Sequence, residues 1–168
     1  YYVTDYDQVI ELVGGGIDTV HAMSHYYTLS ANVENLVIES STHQVVGNGL
    51  ANVITIVAAP GSGASTVEGL GGDDVITGNA GANSLDGGDG NDMLFGGEGD
   101  DTLQGNDGND ILIGGLGSDT LSGSLGADTV VMSLNGGADY MWDFAVGTDR
   151  IDVSAFGGYQ SIVQDGAN

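Results

Sequence analysis

Acidic side chains recur at intervals of nine residues through the middle of the chain. Seven residues share this phase: Asp74, Asn83, Asp92, Asp101, Asp110, Asp119 and Asp128. The position before them in the same phase is Ser65, which departs from the pattern. Carboxylate and amide oxygens are ligands that Ca²⁺ accepts, in sets of six to eight oxygens and in flexible geometry. The spacing therefore indicates rows of cation sites, provided that the fold stacks these side chains.

The acidic residues belong to a repeat of nine residues that runs from 60 to 131. In its eight copies, the fourth position is always glycine, the eighth is always aliphatic, and the first is glycine in all but the first copy. Glycine reaches backbone conformations closed to other residues, so the first six positions form a tight turn. The last three positions are extended, and only the eighth side chain points inward because side chains alternate along a strand. The repeat thus predicts short strands joined by glycine-rich turns.

Such a unit cannot fold alone, because it buries a single side chain, and it must stack on copies of itself. Two units close one coil of about 18 residues, and coils stack at the strand spacing of about 4.8 Å. Carboxylates 18 residues apart then lie above one another and repel by about 3 kcal/mol at an effective dielectric constant of 20. A divalent cation between them reverses the sign, and Ca²⁺ fits a turn of carbonyl oxygens better than the stricter Mg²⁺. We expect Ca²⁺ between the stacked turns.

The composition of the chain supports a requirement for cations and excludes several classes of function. The 168 residues include 24 acidic residues and a single base, Arg150, for a formal net charge of −23. This charge excludes nucleic-acid binding through lysine and arginine, and binding to anionic membrane surfaces. No cysteine is present, so no disulfide framework and no thiolate metal site can form. No apolar run reaches the length of a transmembrane segment.

The segment 60–131 resembles the repeats-in-toxin (RTX) parallel β-roll, whose signature is G-G-x-G-x-D-x-U-x, where U is aliphatic. The resemblance implies an all-β fold, a right-handed parallel β-roll or β-solenoid with Ca²⁺ in the turns. It also implies ligands from the seven residues named above and from their turns. The turn residues in question are Gly69, Gly71, Gly72, Gly87, Gly88, Asp89, Gly90, Gly96, Gly97, Glu98, Gly99, Gly105, Asn106, Asp107, Gly108, Gly114, Gly115 and Gly117.

The resemblance further implies that each ion lies between two turns that are 18 residues apart. The implied pairs are Asp74 with Asp92, Asp92 with Asp110, Asp110 with Asp128, Asn83 with Asp101, and Asp101 with Asp119. They predict about five Ca²⁺ ions, with the Asn83 site the weakest. Leu70 and Ser124 replace the second glycine of their turns, so we expect a modified backbone there.

The flanking segments lack the regular repeat. Residues 1–59 are predicted to be a degenerate β-solenoid or spacer, with four inserted residues, Ile56 to Ala59, before the regular phase. The opening Tyr1-Tyr2-Val3 resembles the strand that closes a nonapeptide, which predicts another roll block upstream. Residues 132–168 are predicted to be a C-terminal cap, with Trp142 and Ile151 among the apolar residues that cover the open core. Asp139 and Asp143 are candidate ligands for one further ion.

No zinc-binding HExxH helix, nucleophile elbow or phosphate loop occurs, so we expect no catalysis within this chain. The resemblance implies a calcium-binding module of a secreted or cell-surface bacterial protein, exported by type I secretion machinery and folded by Ca²⁺ outside the cell. Self-association and a surface polysaccharide are further candidate partners. Two alternatives stay open. One is a structural or adhesive element of a surface layer, filament or biofilm matrix. The other is an accessory C-terminal module of a secreted protease, lipase or alginate epimerase.

Overall fold

A computed structural model describes residues 1–4, 7–39, 43–57 and 63–156 of the chain. Within these residues the secondary structure consists of sixteen β-strands and one 3-10 turn, Ser154–Phe156. The prediction of an all-β fold is confirmed. No described segment forms a helix of the length and hydropathy needed to cross a membrane.

The strands form two parallel sheets, and the chain alternates between them along most of its length. One sheet contains nine strands in the spatial order β1 (Tyr2–Val3), β2 (Thr19–Ala22), β4 (Asn35–Ile38), β6 (Val53–Ile56), β8 (Val75–Thr77), β10 (Met93–Glu98), β12 (Ile111–Leu116), β14 (Thr129–Val131) and β16 (Arg150–Asp152). The other sheet contains seven strands in the order β3 (Tyr26–Thr28), β5 (His43–Val46), β7 (Ser65–Gly71), β9 (Ser84–Asp89), β11 (Thr102–Asp107), β13 (Thr120–Leu125) and β15 (Tyr140–Met141). Stacked coils of this kind make a parallel β-solenoid, as the repeat predicts.

The register of the coils is 18 residues within the repeat and longer at both of its ends. Met93 pairs with Ile111 in the nine-stranded sheet, and Ser84 pairs with Thr102 in the seven-stranded sheet. The coil that precedes the repeat is four residues longer, since Val53 pairs with Val75. This lengthening agrees with the predicted four-residue insertion, although residues 58–62 lie outside the described part of the chain. Residues 157–168 of the predicted cap also lie outside it.

The core consists of two rows of apolar side chains, one from each sheet. The row of the nine-stranded sheet includes Val20, Leu36, Ile54, Ile76, Leu94, Leu112 and Val130. The row of the seven-stranded sheet includes Tyr27, Val45, Val67, Leu85, Leu103 and Leu121. All eight aliphatic residues at the eighth position of the repeat are buried, which confirms their predicted inward orientation. Each contributes about 1.5–3 kcal/mol through burial, and each packs mainly on residues from other coils.

The segment after the repeat continues both sheets instead of only covering their ends. In β15, Met141 pairs with Leu121, and in β16, Ile151 pairs with Val130. The expectation that Trp142 covers the core is wrong, because this side chain is 62% exposed. Met141 packs against the core, and the next residue of an extended chain points to the opposite side.

Candidate metal centre

Most strands of the repeat run from the seventh position of one unit to the third position of the next, as β9 (Ser84–Asp89) and β10 (Met93–Glu98) do. The prediction that all of the first six positions form the turn is therefore wrong, because parallel pairing extends the strands into the first three. We keep the word turn for positions one to six, and these turns stack along two edges of the solenoid. The first glycine of each turn lies against the sixth residue of the same turn. A Cβ atom added at Gly87 would lie 2.2 Å from Oδ2 of Asp92, and one added at Gly105 would lie 2.1 Å from Oδ2 of Asp110. Glycine is therefore required at this position, because any side chain would displace the buried carboxylate.

The sixth residues of stacked turns form two hydrogen-bonded ladders. Along the first edge, the backbone N–H groups of Asp74 and Asp92 donate to Oδ1 of Asp92 and Asp110, each at 2.8 Å, and Asp110 N–H donates to Oδ1 of Asp128 at 2.9 Å. Along the second edge, Asn83 N–H donates to Oδ1 of Asp101 at 2.7 Å, and Asp101 N–H donates to Oδ1 of Asp119 at 2.9 Å. The structure therefore brings together every pair that the resemblance implies, and it assigns one oxygen of each carboxylate to the backbone of the preceding coil.

The second oxygen of each ladder carboxylate is buried and accepts no hydrogen bond. Among the described residues, this holds for Oδ2 of Asp74, Asp92, Asp101, Asp110, Asp119 and Asp128. Each of these aspartates is about 1% exposed. A buried charged group without a partner is strongly unfavourable. These six oxygens are therefore positions where a cation would stabilise the fold.

Burial also shifts the protonation equilibria of the ladder. Loss of solvation raises the pKa of Asp74 to about 7 and the pKa values of Asp101 and Asp110 to about 6. The same cause raises the pKa values of Asp92, Asp119 and Asp128. Hydrogen bonds from the backbone oppose the shift in every case, while most of the neighbouring carboxylates add to it. Without a cation, the folded ladders therefore favour protons on groups that are ionised in the unfolded chain.

Asn83 shows which atoms converge on the space between two turns. Its amide Nδ2 donates to the carbonyl oxygens of Asn79 and Gly81 in its own turn, at 3.2 and 2.5 Å. It also donates to the carbonyl oxygen of Gly96, at 3.3 Å, and to Oδ1 of Asp101, at 3.0 Å, both in the turn of the next coil. A positively polarised NH₂ group thus lies among four oxygens, where it satisfies them without a metal ion.

In the aspartate turns, Oδ2 takes the place of the Asn83 amide nitrogen. A Cβ atom added at Gly78 would lie 2.5 Å from the Gly96 carbonyl oxygen and 2.9 Å from Asn83 Nδ2. A Cβ atom added at Gly69 would similarly lie 2.4 Å from the Gly87 carbonyl oxygen and 2.3 Å from Oδ2 of Asp74. Oδ2 of Asp74 and the carbonyl oxygen of Gly87 therefore border the same space, and neither carries a hydrogen to donate to the other. Such an all-oxygen set fits Ca²⁺, which accepts carboxylate and backbone carbonyl oxygens together.

The ligand set relies on backbone oxygens more than on clustered acidic side chains. No group of three or more His, Cys, Asp or Glu side chains able to hold a metal occurs in the part of the chain that the structure describes. The side chains at the third position of the turns, Asp89, Glu98 and Asp107, are exposed. The carbonyl oxygens of Asp89 and Asp107 accept hydrogen bonds from Gly72 and Gly90 of the preceding coil, both at 2.8 Å. These three acidic residues stand at the rim and not among the converging oxygens.

The second and fourth positions of the turns that begin at residues 69, 87, 96, 105, 114 and 123 take backbone conformations that favour glycine, whereas the turn 78–83 has no positive φ at Asn79 or Gly81. At the second position, φ is positive at Gly88, Gly97 and Gly115, and equally at the non-glycine residues Leu70 (83°), Asn106 (78°) and Ser124 (69°). Leu70 and Ser124 therefore keep the left-handed backbone conformation of the glycines that they replace. The expected change of the backbone at these two residues does not occur in φ. At the fourth position, Gly72, Gly90, Gly99, Gly108 and Gly117 all have positive φ.

Two aspartates beyond the repeat join the ladders. The Asp119 N–H donates to Oδ1 of Asp139 at 3.1 Å, and the Asp128 N–H donates to Oδ1 of Asp149 at 3.2 Å. Sequence reasoning named Asp139 without its partner and missed Asp149, because their spacings are 20 and 21 residues instead of 18. The available signal is a glycine two residues before each aspartate, at Gly137 and Gly147.

Asp143, the other candidate ligand after the repeat, accepts no hydrogen bond from a ladder residue, although its charge contributes to the raised pKa of Asp128. Its Oδ1 is buried and has no hydrogen-bond partner among the described residues. Its Oδ2 accepts hydrogen bonds from the Ser122 hydroxyl at 2.5 Å and from the Ser124 N–H at 2.7 Å. The structure therefore separates Asp143 from Asp139, which bonds to the Asp119 backbone.

Comparison with known proteins agrees with this geometry. The family model described as the RTX calcium-binding nonapeptide repeat (4 copies) matches residues 61–94 and 95–130. No curated protein and no solved structure shows significant similarity to the chain. The matched residues contain every sixth-position aspartate of the repeat and the turns that stack them. Residues 61–130 are therefore a member of the RTX calcium-binding repeat family, wound as a parallel β-roll.

Proposed function

We propose that this chain is a non-catalytic calcium-binding module that folds when Ca²⁺ binds between its turns. The observation that carries the proposal is the set of six buried Oδ2 atoms of the ladder aspartates, none of which has a hydrogen-bond partner among the described residues. The four spaces between successive aspartate turns of the repeat are the primary sites. They are bounded by the pairs Asp74 and Asp92, Asp92 and Asp110, Asp110 and Asp128, and Asp101 and Asp119.

The space next to Asn83 takes no ion in this proposal. The sequence counted it as the weakest of about five sites, whereas its amide nitrogen already donates to the oxygens of both turns. A cation would have to displace the two N–H donors of the amide from these four oxygens and would meet one carboxylate fewer than at the other sites. Asn83 thus acts as a link between two coils that does not depend on calcium.

Folding and ion binding are coupled because the sites exist only when the coils are stacked. A ligand that binds the folded chain alone stabilises it by RT ln(1 + [L]/Kd) for each site, which is about 2.7 kcal/mol when the concentration is 100 times Kd. The net charge of −23 opposes compaction in the absence of cations. Each bound Ca²⁺ neutralises two charges, so the ions both fill the spaces and reduce the repulsion between coils.

We further propose that the module works outside the cell, where such sites bind Ca²⁺ at about 10⁻⁴–10⁻³ M. In calcium-poor bacterial cytosol the chain stays unfolded, which suits threading through type I secretion machinery. After export, Ca²⁺ shifts the equilibrium to the folded form. What supports this proposal is the membership of residues 61–130 in a family of calcium-binding repeats, together with the acidic composition.

The proposal is tested by far-UV circular dichroism and titration calorimetry of the full chain in calcium-free buffer, with Ca²⁺ and with Mg²⁺. We expect an unfolded spectrum without metal, a β spectrum in millimolar Ca²⁺, and little change at equal Mg²⁺. A β spectrum that is unchanged in excess chelator would overturn calcium-coupled folding. Absence of heat on addition of Ca²⁺, with no change of spectrum, would overturn calcium binding itself.

The two alternative functions make different demands on the folded module. A structural or adhesive element would associate with itself, so light scattering would rise with Ca²⁺ concentration. An accessory module of a secreted enzyme would bind the polysaccharide on which that enzyme acts, such as alginate. The net charge of −23 opposes direct binding of a polyanion unless Ca²⁺ bridges the two. A module that remains monomeric and binds no alginate in Ca²⁺ contradicts both alternatives.

A further inference from the structure

The last two aspartates of the repeat each have a buried oxygen that faces the next coil, and this coil lies beyond the end of the repeat. Asp119 and Asp128 are both about 1% exposed, and Oδ2 of each lacks a hydrogen-bond partner among the described residues. Asp101 belongs to the coil before Asp119. Its Oδ2 lies beside a space that the carbonyl oxygen of Gly114, in the next turn of the same ladder, also borders. By the same register, Asp119 and Asp128 require turns from residues after 131, where the nonapeptide pattern has ended.

Residues 134–139 form the turn that follows Asp119. The hydrogen bond from Asp119 N–H to Asp139 Oδ1 corresponds to the bond from Asp101 N–H to Asp119 Oδ1, and Tyr140 pairs with Thr120. Asp139 therefore occupies the sixth position. The backbone agrees, because Asn135 at the second position has φ of 64° and Gly137 at the fourth has φ of 86°.

The approach of this turn to the preceding coil also matches that of the repeat. A Cβ atom added at Gly137 would lie 2.0 Å from the Gly117 carbonyl oxygen. One added at Gly117 would lie 2.0 Å from the Gly99 carbonyl oxygen. The turn at 134–139 therefore stacks as closely as a turn of the repeat does, although its sequence contains neither the first nor the second glycine.

Residues 144–149 form the corresponding turn after Asp128. The Asp128 N–H donates to Asp149 Oδ1, and Arg150 pairs with Thr129, so Asp149 again occupies the sixth position. Gly147 at the fourth position has φ of 94°. The other oxygen of Asp149 accepts a hydrogen bond from the Ala145 N–H at 2.7 Å, within its own turn. This oxygen is satisfied, as expected for the last member of a ladder.

Within the described part of the chain, no positive side chain compensates these carboxylates. Arg150 is the only basic residue of the chain apart from its three histidines, and its guanidinium bonds to Asp152 at 3.3 Å with a side chain that is 70% exposed. The pairs Asp119 with Asp139 and Asp128 with Asp149 thus bring two carboxylates together around a buried oxygen to which no described residue donates. For Asp119 and Asp139 this is the same arrangement as at the pairs inside the repeat. The turn of Asp149 makes the ladder hydrogen bond but approaches the preceding coil less closely, because a Cβ atom added at Gly147 would meet no atom within 4 Å.

We propose that Asp139 and Asp149 complete two further Ca²⁺ sites, one with Asp119 and one with Asp128. The inference rests on the proposed calcium binding and extends it to turns outside the family pattern. Together with the four sites inside the repeat, it assigns one ion to each of the six unpartnered Oδ2 atoms of the ladder aspartates and none to the unpartnered Oδ1 of Asp143. The segment 134–149 is then a calcium-bound coil, so its stacking on the end of the solenoid depends on Ca²⁺.

The test counts ions on the full chain by native mass spectrometry and titration calorimetry in saturating Ca²⁺. The variants are Asp139→Asn, Asp149→Asn and the double variant, with Asp152→Asn as the control. Asparagine keeps the Oδ1 that accepts the ladder hydrogen bond, and Asn83 shows that an amide fits the sixth position. Asp152 lies in the same segment but bonds to Arg150 and to the Ser154 N–H.

We expect six ions on the natural chain and on Asp152→Asn, five on each single variant and four on the double variant. Mass spectrometry counts ions on the folded fraction, so a less stable variant still gives a result. Equal counts for the natural chain and all variants would overturn the two sites. That outcome differs from failure of the proposed function, in which the natural chain itself binds no Ca²⁺.

Discussion

Replacement of Asn83 by aspartate should convert a metal-free link into a calcium site. In the natural chain, the two N–H groups of Asn83 Nδ2 are shared among four oxygens around the space between two turns, one of which is Oδ1 of Asp101 at 3.0 Å. The variant Asn83→Asp places an oxygen where that nitrogen lies. Five oxygens then face one another with no hydrogen between them, as in the aspartate turns of the repeat.

The cost in the absence of calcium follows from the lost contacts. The amide has two N–H groups and makes at most two full hydrogen bonds, worth about 1 kcal/mol to a carbonyl oxygen and about 2 kcal/mol to the Asp101 carboxylate, or about 3 kcal/mol together. Two charges 3.0 Å apart at a dielectric constant of 20 would add up to about 5 kcal/mol, which protonation of one carboxylate largely removes. We take about 3 kcal/mol, which is about a 10²-fold change in the folding equilibrium. Shared among the seven coupled ions of the variant, this change raises the Ca²⁺ concentration at the folding midpoint about twofold.

The assay is a Ca²⁺ titration followed by circular dichroism, with calorimetry to count the ions at saturation. We expect Asn83→Asp to show a higher midpoint, a steeper transition and one additional ion. The control is Asn109→Asp, the same chemical change at an exposed fifth position, where Asp73 and Asp100 already place carboxylates. An unchanged ion count in Asn83→Asp, or an equal shift of the midpoint in both variants, would refute the assignment of Asn83 as a substitute for the ion.

Three further predictions concern protons, turns and core. Because the pKa values of Asp74, Asp101 and Asp110 are about 6 to 7 in the folded chain, against an ordinary value of 3.8, the calcium-free fold binds more protons than the unfolded chain and loses stability as pH rises from about 4 to 7. Circular dichroism in calcium-free buffer should therefore show more β structure at pH 5 than at pH 8, and the reverse order would contradict the burial argument. Gly108→Ala should destabilise the calcium-bound fold by more than about 2 kcal/mol in urea, because its Cβ would lie 1.7 Å from the Gly90 carbonyl oxygen. The control Gly49→Ala, whose Cβ would have no atom within 4 Å, should have little effect. Leu103→Ala should lower the free energy of unfolding by about 2–5 kcal/mol in the same experiment, against less than about 0.5 kcal/mol for Leu116→Ala, whose side chain is exposed. Similar losses for the two variants would show that the row of buried side chains is not the core.

The carboxylate ladders inside the repeat could be predicted from the sequence because their spacing is constant. An interval of 18 residues fixes which carboxylates superpose, and the aliphatic eighth position fixes which side of each strand is buried. Asp139 and Asp149 could not be predicted in this way, because their intervals of 20 and 21 residues break the phase. The loops accommodate the extra residues, and Tyr140 and Arg150 remain in register with the preceding strands.

The parallel β-solenoid, its two edges and the identity of the ladder residues follow from the nonapeptide repeat alone, because a strict repeat leaves one way to bury its apolar side chains. Which oxygen of each carboxylate is free, and which is held by the backbone of the adjacent coil, becomes known only once the coils are stacked. The same holds for the hydrogen-bond donor that Asn83 carries into the space between two turns. These properties depend on distances of about 3 Å between atoms of different coils, and no spacing along the chain encodes them.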